Sequence, residues 1–212
     1  MRPVRLRPPS AGAYSADEGI ISGSGTEARS SPLPYPIRIV GDQVVLREFT
    51  PADVDDVLAV IGDDKVTTWL SFDSRDRDQA VAMIEGTITR AQQEPRTEFY
   101  FGVTKRDDDR VIGFARIGLS GVQAGKLGYA IAAKEWGHGY ATDAARALVT
   151  YVFKELGLHR VTAAIGPDNV GSIAVVRQLG FTREGTLRDH VFTNGAWRDS
   201  VLFSVLAAEW SR

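Results

Sequence analysis

Along residues 44–206, apolar runs typical of strands alternate with segments in which apolar residues recur at helical spacing. This pattern predicts the order of the strands and helices. Short apolar runs rich in β-branched and aromatic residues predict strands at residues 44–47, 99–103, 111–117, 126–131, 160–165, 182–188 and 200–206. Apolar residues three and four positions apart predict helices that begin at Pro51 and span residues 76–93, 142–156 and 170–179. The order is strand, two helices, three strands, helix, strand, helix and two strands, which predicts an α/β domain with a central sheet.

Residues at the ends of these segments support their limits. Thr50 before Pro51 is a typical N-cap position, because its side chain accepts hydrogen bonds from the first helical turn. Gly157 follows the helix at 142–156, where glycine adopts the left-handed conformation that ends many helices. The charged residues 105–110 join two strands as a hairpin.

Residues 1–36 differ in composition from the rest of the chain and are rich in Pro, Ser, Gly and Arg. Such a segment cannot bury enough apolar surface to offset its loss of conformational entropy. We therefore expect a disordered tail over residues 1–36, for which a partner-binding role stays open, and a folded domain over residues 37–212. The N-terminus has no apolar stretch before a cleavage site, so we expect no secretory signal.

Charge and hydropathy narrow the classes of partner. The chain has 25 Lys and Arg against 27 Asp and Glu, a formal charge of −2. This balance provides no general field that would hold nucleic acid or an anionic membrane. No apolar run approaches the roughly 20 residues that a membrane-spanning helix needs. We therefore expect a cytoplasmic protein, monomeric or homodimeric, that binds neither nucleic acid nor membrane.

The chain contains no cysteine and three histidines, which are His138, His159 and His190. The absence of cysteine excludes disulfides, cysteine-ligated zinc and a cysteine acyl-enzyme. The histidines lack a metal-binding spacing such as His-Glu-x-x-His. We therefore expect no metal.

A glycine-containing turn at residues 136–142, with the sequence Trp-Gly-His-Gly-Tyr-Ala-Thr, lies between a predicted strand and a long predicted helix. Two glycines one residue apart let the chain turn tightly and expose successive N–H groups. The helix start adds unpaired amides and a positive dipole end. The turn is therefore typical of a phosphate or pyrophosphate site that needs neither lysine nor metal. A tight turn without a ligand is the alternative interpretation.

Other phosphate-binding and catalytic motifs fit the chain less well. A dinucleotide fingerprint requires a third glycine where Thr142 stands, which disfavours a nicotinamide dehydrogenase. A P-loop requires Gly-Lys-Ser or Gly-Lys-Thr, and the chain has neither. The segment Gly-Leu-Ser-Gly-Val at residues 118–122 fails the nucleophile-elbow pattern at its last position. What remains is a phosphate-bearing ligand held in another way.

Several motifs follow the turn in order. They are Asn-Val-Gly-Ser at 169–172, Leu-Gly-Phe at 179–181, Glu-Gly-Thr-Leu-Arg at 184–188, Asn-Gly-Ala-Trp-Arg-Asp at 194–199 and Glu-Trp at 209–210. Together with Leu-Gly-Tyr-Ala-Ile before the turn, they resemble the GNAT superfamily of N-acetyltransferases, in particular its ribosomal-protein alanine N-acetyltransferase branch of RimJ and RimL type. The resemblance covers about residues 37–212. It implies a GNAT-like α/β fold with a mixed, mostly antiparallel central sheet flanked by helices.

The resemblance implies acetyl-CoA as co-substrate. In the family, the pantetheine arm runs along the strand before the turn, and the turn amides hold the pyrophosphate. Trp136 stands where many members have Gln or Arg, and His138 is more typical of an exposed spacer than of a base. Asn169 resembles an asparagine that contacts the coenzyme, and it is equally placed to cap the next helix. The residues so assigned to coenzyme binding are Tyr129, Ala130, Ile131, Trp136, Gly137, His138, Gly139, Tyr140, Ala141, Thr142 and Asn169.

The resemblance also implies direct attack of an unprotonated amine on the acetyl carbonyl, without a covalent enzyme intermediate. Ser172 matches a serine that can protonate the leaving thiolate, and it is also an ordinary first-turn helix residue. Lys126 replaces a glutamate that many relatives carry two residues before the Gly-Tyr pair, so the general base stays open. The catalytic candidates are Ser172, Asp189 and His190, followed by Glu48 and Asp199.

The sequence therefore predicts transfer of an acetyl group from acetyl-CoA to a primary amine. The acceptor is either the α-amine of a peptide or protein N-terminus or a small amine such as a metabolite or antibiotic, and a longer acyl group stays open. Arg47 and Arg116 are candidates for contact with an acidic acceptor, and each is also compatible with a solvated strand-end charge. The alternative function is a catalytically weak coenzyme A-binding regulatory or interaction module.

Overall fold

Eight strands form one sheet in the order β1-β2-β3-β4-β5-β6-β8-β7. The structure is a computed structural model that describes residues 35–210. Its strands are β1 Arg38–Val40, β2 Val44–Arg47, β3 Glu98–Lys105, β4 Asp108–Leu119, β5 Ala124–Ile131, β6 Arg160–Ile165, β7 Thr182–Thr193 and β8 Ala196–Leu206. Neighbouring strands run antiparallel except β5 and β6, which are parallel.

Helices pack against both faces of this sheet. They are α1 Val54–Ile61, α2 Asp64–Thr67, α3 Arg77–Ala91, α4 Tyr140–Glu155 and α5 Val170–Gln178. Residues of α1 and α3 share one apolar core with the sheet, and residues of α4 and α5 share the other. The prediction of a mixed, mostly antiparallel sheet flanked by helices is confirmed.

Successive side chains of the central strands divide between the two cores. On β3, Phe99 and Phe101 belong to the core of α4, whereas Tyr100 belongs to the core of α1 and α3. Phe114 and Ala115 of β4 divide in the same way, because neighbouring residues of a strand face opposite sides of a sheet. Burial on both faces explains why these strands are continuous apolar runs rather than alternating ones.

Asp143, in the first turn of α4, ties that helix to the turn between β1 and β2. Its buried carboxylate accepts hydrogen bonds from the main-chain N–H groups of Asp42, Gln43 and Val44 at 3.1, 2.7 and 3.0 Å. A β-carbon on Gly41 would come within 2.6 Å of a carboxylate oxygen. Charge-assisted hydrogen bonds of this kind are about twice as strong as neutral ones, and they hold the start of α4 in place.

The predicted segments match the observed ones to within a few residues, with short elements as the exception. The helix predicted from Pro51 begins as a 3-10 turn and continues as α1. β1 and α2 were not predicted, because three and four residues are too few to show a hydrophobic period. The tail predicted at residues 1–36 lies, apart from its last two residues, outside the described part of the chain. Among the described residues, no helix is long and apolar enough to cross a membrane.

Candidate active site

The glycine-containing turn lies between β5 and α4, as predicted. Gly137 and Gly139 have φ angles of +81° and +82°, a left-handed conformation that glycine adopts without steric cost. Gly139 directly precedes Tyr140, the first residue of α4, so the first N–H groups of the helix have no acceptor within it. These amides and the helix dipole make an anion-binding concavity. Of residues 136–142, all except His138 line a cleft of about 1040 Å³.

Trp136 fastens this turn to the sheet. Its indole N–H donates to the carbonyl oxygen of Ile131, the last residue of β5, at 2.7 Å. The ring stays half exposed and lines the cleft. Trp136 can therefore pack against the sheet edge and contact a ligand in the same conformation. The preceding Glu135 forms an ion pair with Lys105 at 2.9 Å. The turn is thus held by both β5 and β3.

The cleft opens where β5 and β6 separate. The two strands pair over three rows, the last of which joins Lys126 to Thr162. Beyond that row β5 continues beside β4 to its end, and among the described strands none pairs with its N–H and C=O groups that face β6. Tyr129, Ala130 and Ile131 all line this opening. A ligand with amide groups can therefore pair with β5 in place of a neighbouring strand.

Asn169 and Ser172 lie in the cleft wall at the start of α5. The Asn169 side-chain oxygen accepts a hydrogen bond from the Ser172 N–H at 3.0 Å, so it caps the helix. The Tyr129 hydroxyl donates to the carbonyl oxygen of Ser172 at 3.2 Å. Burial raises the pKa of Tyr129 to about 12, so its phenol stays protonated at neutral pH. Within residues 35–210 the Ser172 hydroxyl has no hydrogen-bond partner, which leaves it free to meet a ligand.

The structure separates the two candidates on β7. His190 lines the cleft, and its Nδ1 lies 3.0 Å from the hydroxyl of Ser200 on β8. Asp189 sits in a bulge of β7 with a φ of +47°, where it is exposed and outside the cleft lining. Its N–H donates to the carboxylate of Asp199 at 2.9 Å. Of these residues only His190 lines the cleft, as Ser172 does.

Other candidates from the sequence also lie away from the cleft lining. His138 stacks on the ring of Tyr140 with centroids 5.5 Å apart, as an exposed spacer in the turn does. Glu48 is buried in an ion pair with Arg96 at 2.7 Å, so its carboxylate is occupied. Arg47 is bound by two carboxylates, which removes it as a contact for a ligand.

Comparison with known proteins identifies the family. Residues 43–182 match the family described as Acetyltransferase (GNAT) domain. The uncharacterized N-acetyltransferase YoaA of Bacillus subtilis is 30% identical over 170 residues, which cover 78% of this chain and 94% of that protein. The chain belongs to the GNAT acetyltransferase family.

One further relative confirms the predicted resemblance within this family, and one solved structure shows the same fold. The ribosomal protein uS5-alanine N-acetyltransferase of Escherichia coli is 33% identical over 116 residues, which cover 53% of this chain and 60% of that protein. RimJ of Mycobacterium smegmatis, in complex with CoA-disulfide, shares the fold with a TM-score of 0.73 at 24% identity, covering 84% and 91% of the two chains. The prediction of an acyl-CoA-dependent N-acetyltransferase is therefore confirmed, and acetyl-CoA is the co-substrate of its family.

Sequence reasoning missed an aromatic wall in the cleft of this GNAT domain. Trp69 and Phe72 come from the loop after α2, and Tyr100 and Phe114 come from β3 and β4. The last two rings pack edge to face with centroids 5.2 Å apart. The loop at 68–74 has no helical or strand spacing, so its apolar composition was the only signal that pointed to a binding surface.

The β7–β8 hairpin holds this aromatic loop. Asp73 accepts hydrogen bonds from the Thr193 hydroxyl and the Asn194 N–H, each at 2.7 Å. Arg198 donates to the carbonyl oxygen of Thr68 at 2.7 Å. The hydrogen bond from Thr193, followed by that from Asn194, lowers the pKa of Asp73, so its carboxylate is ionised at neutral pH. Segments far apart in sequence therefore form one wall of the GNAT cleft.

Proposed function

We propose that this enzyme transfers an acetyl group from acetyl-CoA to a primary α-amine, carried by a peptide or protein N-terminus or by a small metabolite. The observation that carries the proposal is the opening between β5 and β6, which leads to the glycine-containing turn. The unpaired strand groups suit the amides of a pantetheine arm, and the turn amides suit a pyrophosphate. Coenzyme A carries both groups in one molecule, so one ligand fits both features.

In this proposal the main chain does most of the binding. Residues 129–131 pair with the coenzyme arm, and the N–H groups of residues 137–142 hold the pyrophosphate. Acetyl-CoA supplies the thioester carbonyl, at which a C–N bond to the amine forms and the C–S bond breaks. A cleft-facing N–H of residues 129–131 stabilises the charge that develops on the carbonyl oxygen. The amine loses one proton, and the departing thiolate gains one.

The charged groups of the cleft favour an α-amine over an alkylamine. The carboxylates among its lining residues are Glu135 and Asp168, and Glu135 is already paired with Lys105. An alkylammonium has a pKa of about 10 and needs a strong base, whereas the α-amine of a peptide, with a pKa of about 8, is substantially neutral near pH 8. His190 or a water molecule is then sufficient as the proton acceptor.

We assign the two proton transfers to His190 and Ser172. Because Nδ1 of His190 lies beside Ser200, its Nε2 is the atom that accepts the proton of the amine. The Ser172 hydroxyl, free of protein partners within residues 35–210, protonates the thiolate. Asp189 lies outside the cleft lining and has no role in this assignment.

Coenzyme A release tests the substrate assignment. Two peptides are compared with acetyl-CoA, one whose sole amine is at its N-terminus and one that is N-terminally blocked with an internal lysine. We expect amine-dependent thiol release with the first peptide, and mass spectrometry places the acetyl group on its α-nitrogen. Release with the lysine peptide alone, or with neither peptide, contradicts the proposal.

Variants test the residue assignment separately. We expect Ser172→Ala and His190→Gln each to lower kcat by roughly 10- to 100-fold. His159→Gln changes an exposed histidine outside the cleft lining and serves as the matched control. Wild-type kcat in both cleft variants contradicts the proton-transfer roles and leaves the substrate assignment standing.

A catalytically weak coenzyme A-binding module is the second candidate. It is favoured by Lys126 in place of a glutamate and by Val175 on the cleft side of α5, where members of the superfamily often have a tyrosine that protonates the thiolate. Binding of acetyl-CoA in a calorimeter without amine-dependent thiol release would support it. The expected cytoplasmic location, the absence of a metal, and a monomeric or homodimeric state all stay predictions.

A further inference from the structure

Two cations, Arg116 and Lys126, stand on the same face of the sheet where β5 and β6 separate, at what we term the junction end of the cleft. β4 and β5 pair Arg116 with Gly128, and Gly118 with Lys126. Each cation is therefore paired across the strands with a glycine. The two pairs are neighbours on one face of the sheet, so the Arg116 and Lys126 side chains project from the same face. A β-carbon on Gly128 would come within 3.3 Å of Cγ of Arg116, so the bare backbone makes room for the arginine.

Arg116 is held in position but not fully neutralised. Its guanidinium lies 3.4 Å from the carboxylate of Glu98 and 5.8 Å from the ring centroid of Tyr100. Glu98 also pairs with Arg90 at 2.9 Å, so two arginines share one carboxylate. The Arg116 side chain stays 43% exposed and lines the cleft, so its remaining N–H donors are available to a ligand.

The positive charge of Lys126 is neutralised still less than that of Arg116. Within residues 35–210 its ammonium forms no ion pair. The carboxylates that line the cleft belong to other segments: Glu135 adjoins the glycine-containing turn and is bound by Lys105, and Asp168 precedes α5. The junction end of the cleft is therefore positively charged.

We infer that the acceptor amine carries an acidic group close to its nitrogen, as an amino acid or an N-terminus followed by an acidic residue does. The inference rests on the proposed function, because it requires an amine acceptor in this cleft. A carboxylate on the acceptor forms charge-assisted hydrogen bonds with Arg116 or Lys126. A polyamine, an aminoglycoside or a lysine-rich peptide brings further positive charge and is repelled.

The same cations also help the chemistry. A nearby positive charge disfavours the protonated form of an amine and therefore lowers the pKa of the acceptor ammonium. The acceptor carboxylate binds to the cations, and the amine that reacts is the neutral form. Lys126 in place of a glutamate thus exchanges a general base for a group that selects an acidic acceptor.

Matched acceptors test this inference with the wild-type enzyme and acetyl-CoA. Three peptides begin with Ala-Glu, Ala-Gln or Ala-Lys and are otherwise identical, and free glutamate and glutamine form a second pair. We expect kcat/KM for the Ala-Glu peptide to exceed that for the Ala-Gln peptide roughly tenfold, with the Ala-Lys peptide lowest. Added sodium chloride should narrow this preference because it screens partly exposed charges.

Variants locate the preference on the two cations. The ratio of kcat/KM for the Ala-Glu peptide to that for the Ala-Lys peptide is measured within each variant, so partial loss of folding or coenzyme binding cancels. We expect Arg116→Gln to reduce this ratio and Lys126→Glu to reverse it. Arg106→Gln removes an exposed cation from the β3–β4 turn, outside the cleft lining, and should keep the wild-type ratio.

The outcomes separate this inference from the proposed function. Equal kcat/KM for the three peptides, or a wild-type ratio in Lys126→Glu, overturns the inference and leaves acetyl transfer to an α-amine intact. Failure to acetylate any peptide or amino acid overturns the proposed function, and the inference falls with it. A larger preference within the amino-acid pair than within the peptide pair supports the inference with a free amino acid as acceptor, and the reverse supports an N-terminus.

Discussion

The Tyr129 hydroxyl donates a hydrogen bond of 3.2 Å to the carbonyl oxygen of Ser172 and so connects β5 to α5. This bond lies beyond the point where β5 and β6 stop pairing, so it replaces ladder hydrogen bonds as a link between the two walls of the cleft. It also positions the turn of helix that carries the Ser172 hydroxyl. Geometry at the proposed proton donor therefore depends on a residue of the strand that lines the coenzyme path.

We expect Tyr129→Phe to lower kcat several-fold and the free energy of unfolding by about 1 kcal/mol, because one partly buried hydrogen bond is lost. Steady-state kinetics and urea unfolding measure the two effects. The pKa of Tyr129 is raised from 10.0 to about 12 by burial, so its contribution to stability is complete below the lower value and is lost as pH rises through the higher one. The free energy of unfolding should thus fall more steeply between these pH values in wild type than in the variant. Equal slopes would contradict this account.

Gly139→Ala should weaken acetyl-CoA binding. An alanine at a φ of +82° is strained by roughly 1–2 kcal/mol, and relief of the strain moves the first amides of α4. Gly157→Ala is the matched control, because Gly157 has a φ of +64°, follows the far end of α4, and would bring its β-carbon within 4 Å of no other described residue. Both variants should unfold at lower temperature, and isothermal calorimetry should show a raised Kd in Gly139→Ala alone. The same loss of affinity in both would mean that the turn is not the phosphate site.

Asp73→Ala should raise KM for the acceptor several-fold and leave KM for acetyl-CoA unchanged. The carboxylate holds the loop of Trp69 and Phe72 through two hydrogen bonds from the β7–β8 hairpin, and the glycine-containing turn belongs to another part of the chain. Asp107→Ala, an exposed acid in the β3–β4 turn, is the control. Because hydrogen bonding lowers the pKa of Asp73, this stabilising contact is present above the ordinary pKa of an aspartate and weakens as pH falls below it. Parallel changes in both KM values would show general damage instead.

Gly41→Ala should destabilise the fold by about 1–3 kcal/mol, because its β-carbon would meet the Asp143 carboxylate at 2.6 Å. Asp143→Ala should cost about 2–4 kcal/mol, since three main-chain N–H groups lose their charged acceptor. Gly166→Ala, whose β-carbon would meet no atom of residues 35–210 within 4 Å, should be tolerated. The three variants are compared by their urea unfolding midpoints. Similar midpoints for Gly41→Ala and Gly166→Ala would contradict the proposed role of Asp143 in holding the turn between β1 and β2 against α4.

The sequence by itself determined the order of the main strands and helices, the glycine-containing turn and the family. These features depend on local rules, because hydrophobic spacing selects strand or helix and a left-handed residue requires glycine. Gly137 and Gly139 were therefore identified as turn residues before any contact was known, and both have positive φ angles. β1 and α2 escaped the same rules because they are too short to show a period.

Only the tertiary structure decided which candidate side chains share the cleft. Arg47 and Arg116 were equal candidates in sequence, but carboxylates bind Arg47 and the strand register carries Arg116 into the lining. A bulge of β7 places His190 in the lining and leaves its neighbour Asp189 outside it. Register, bulges and the packing of distant loops depend on partners far away in the chain, and no local spacing of residues encodes them.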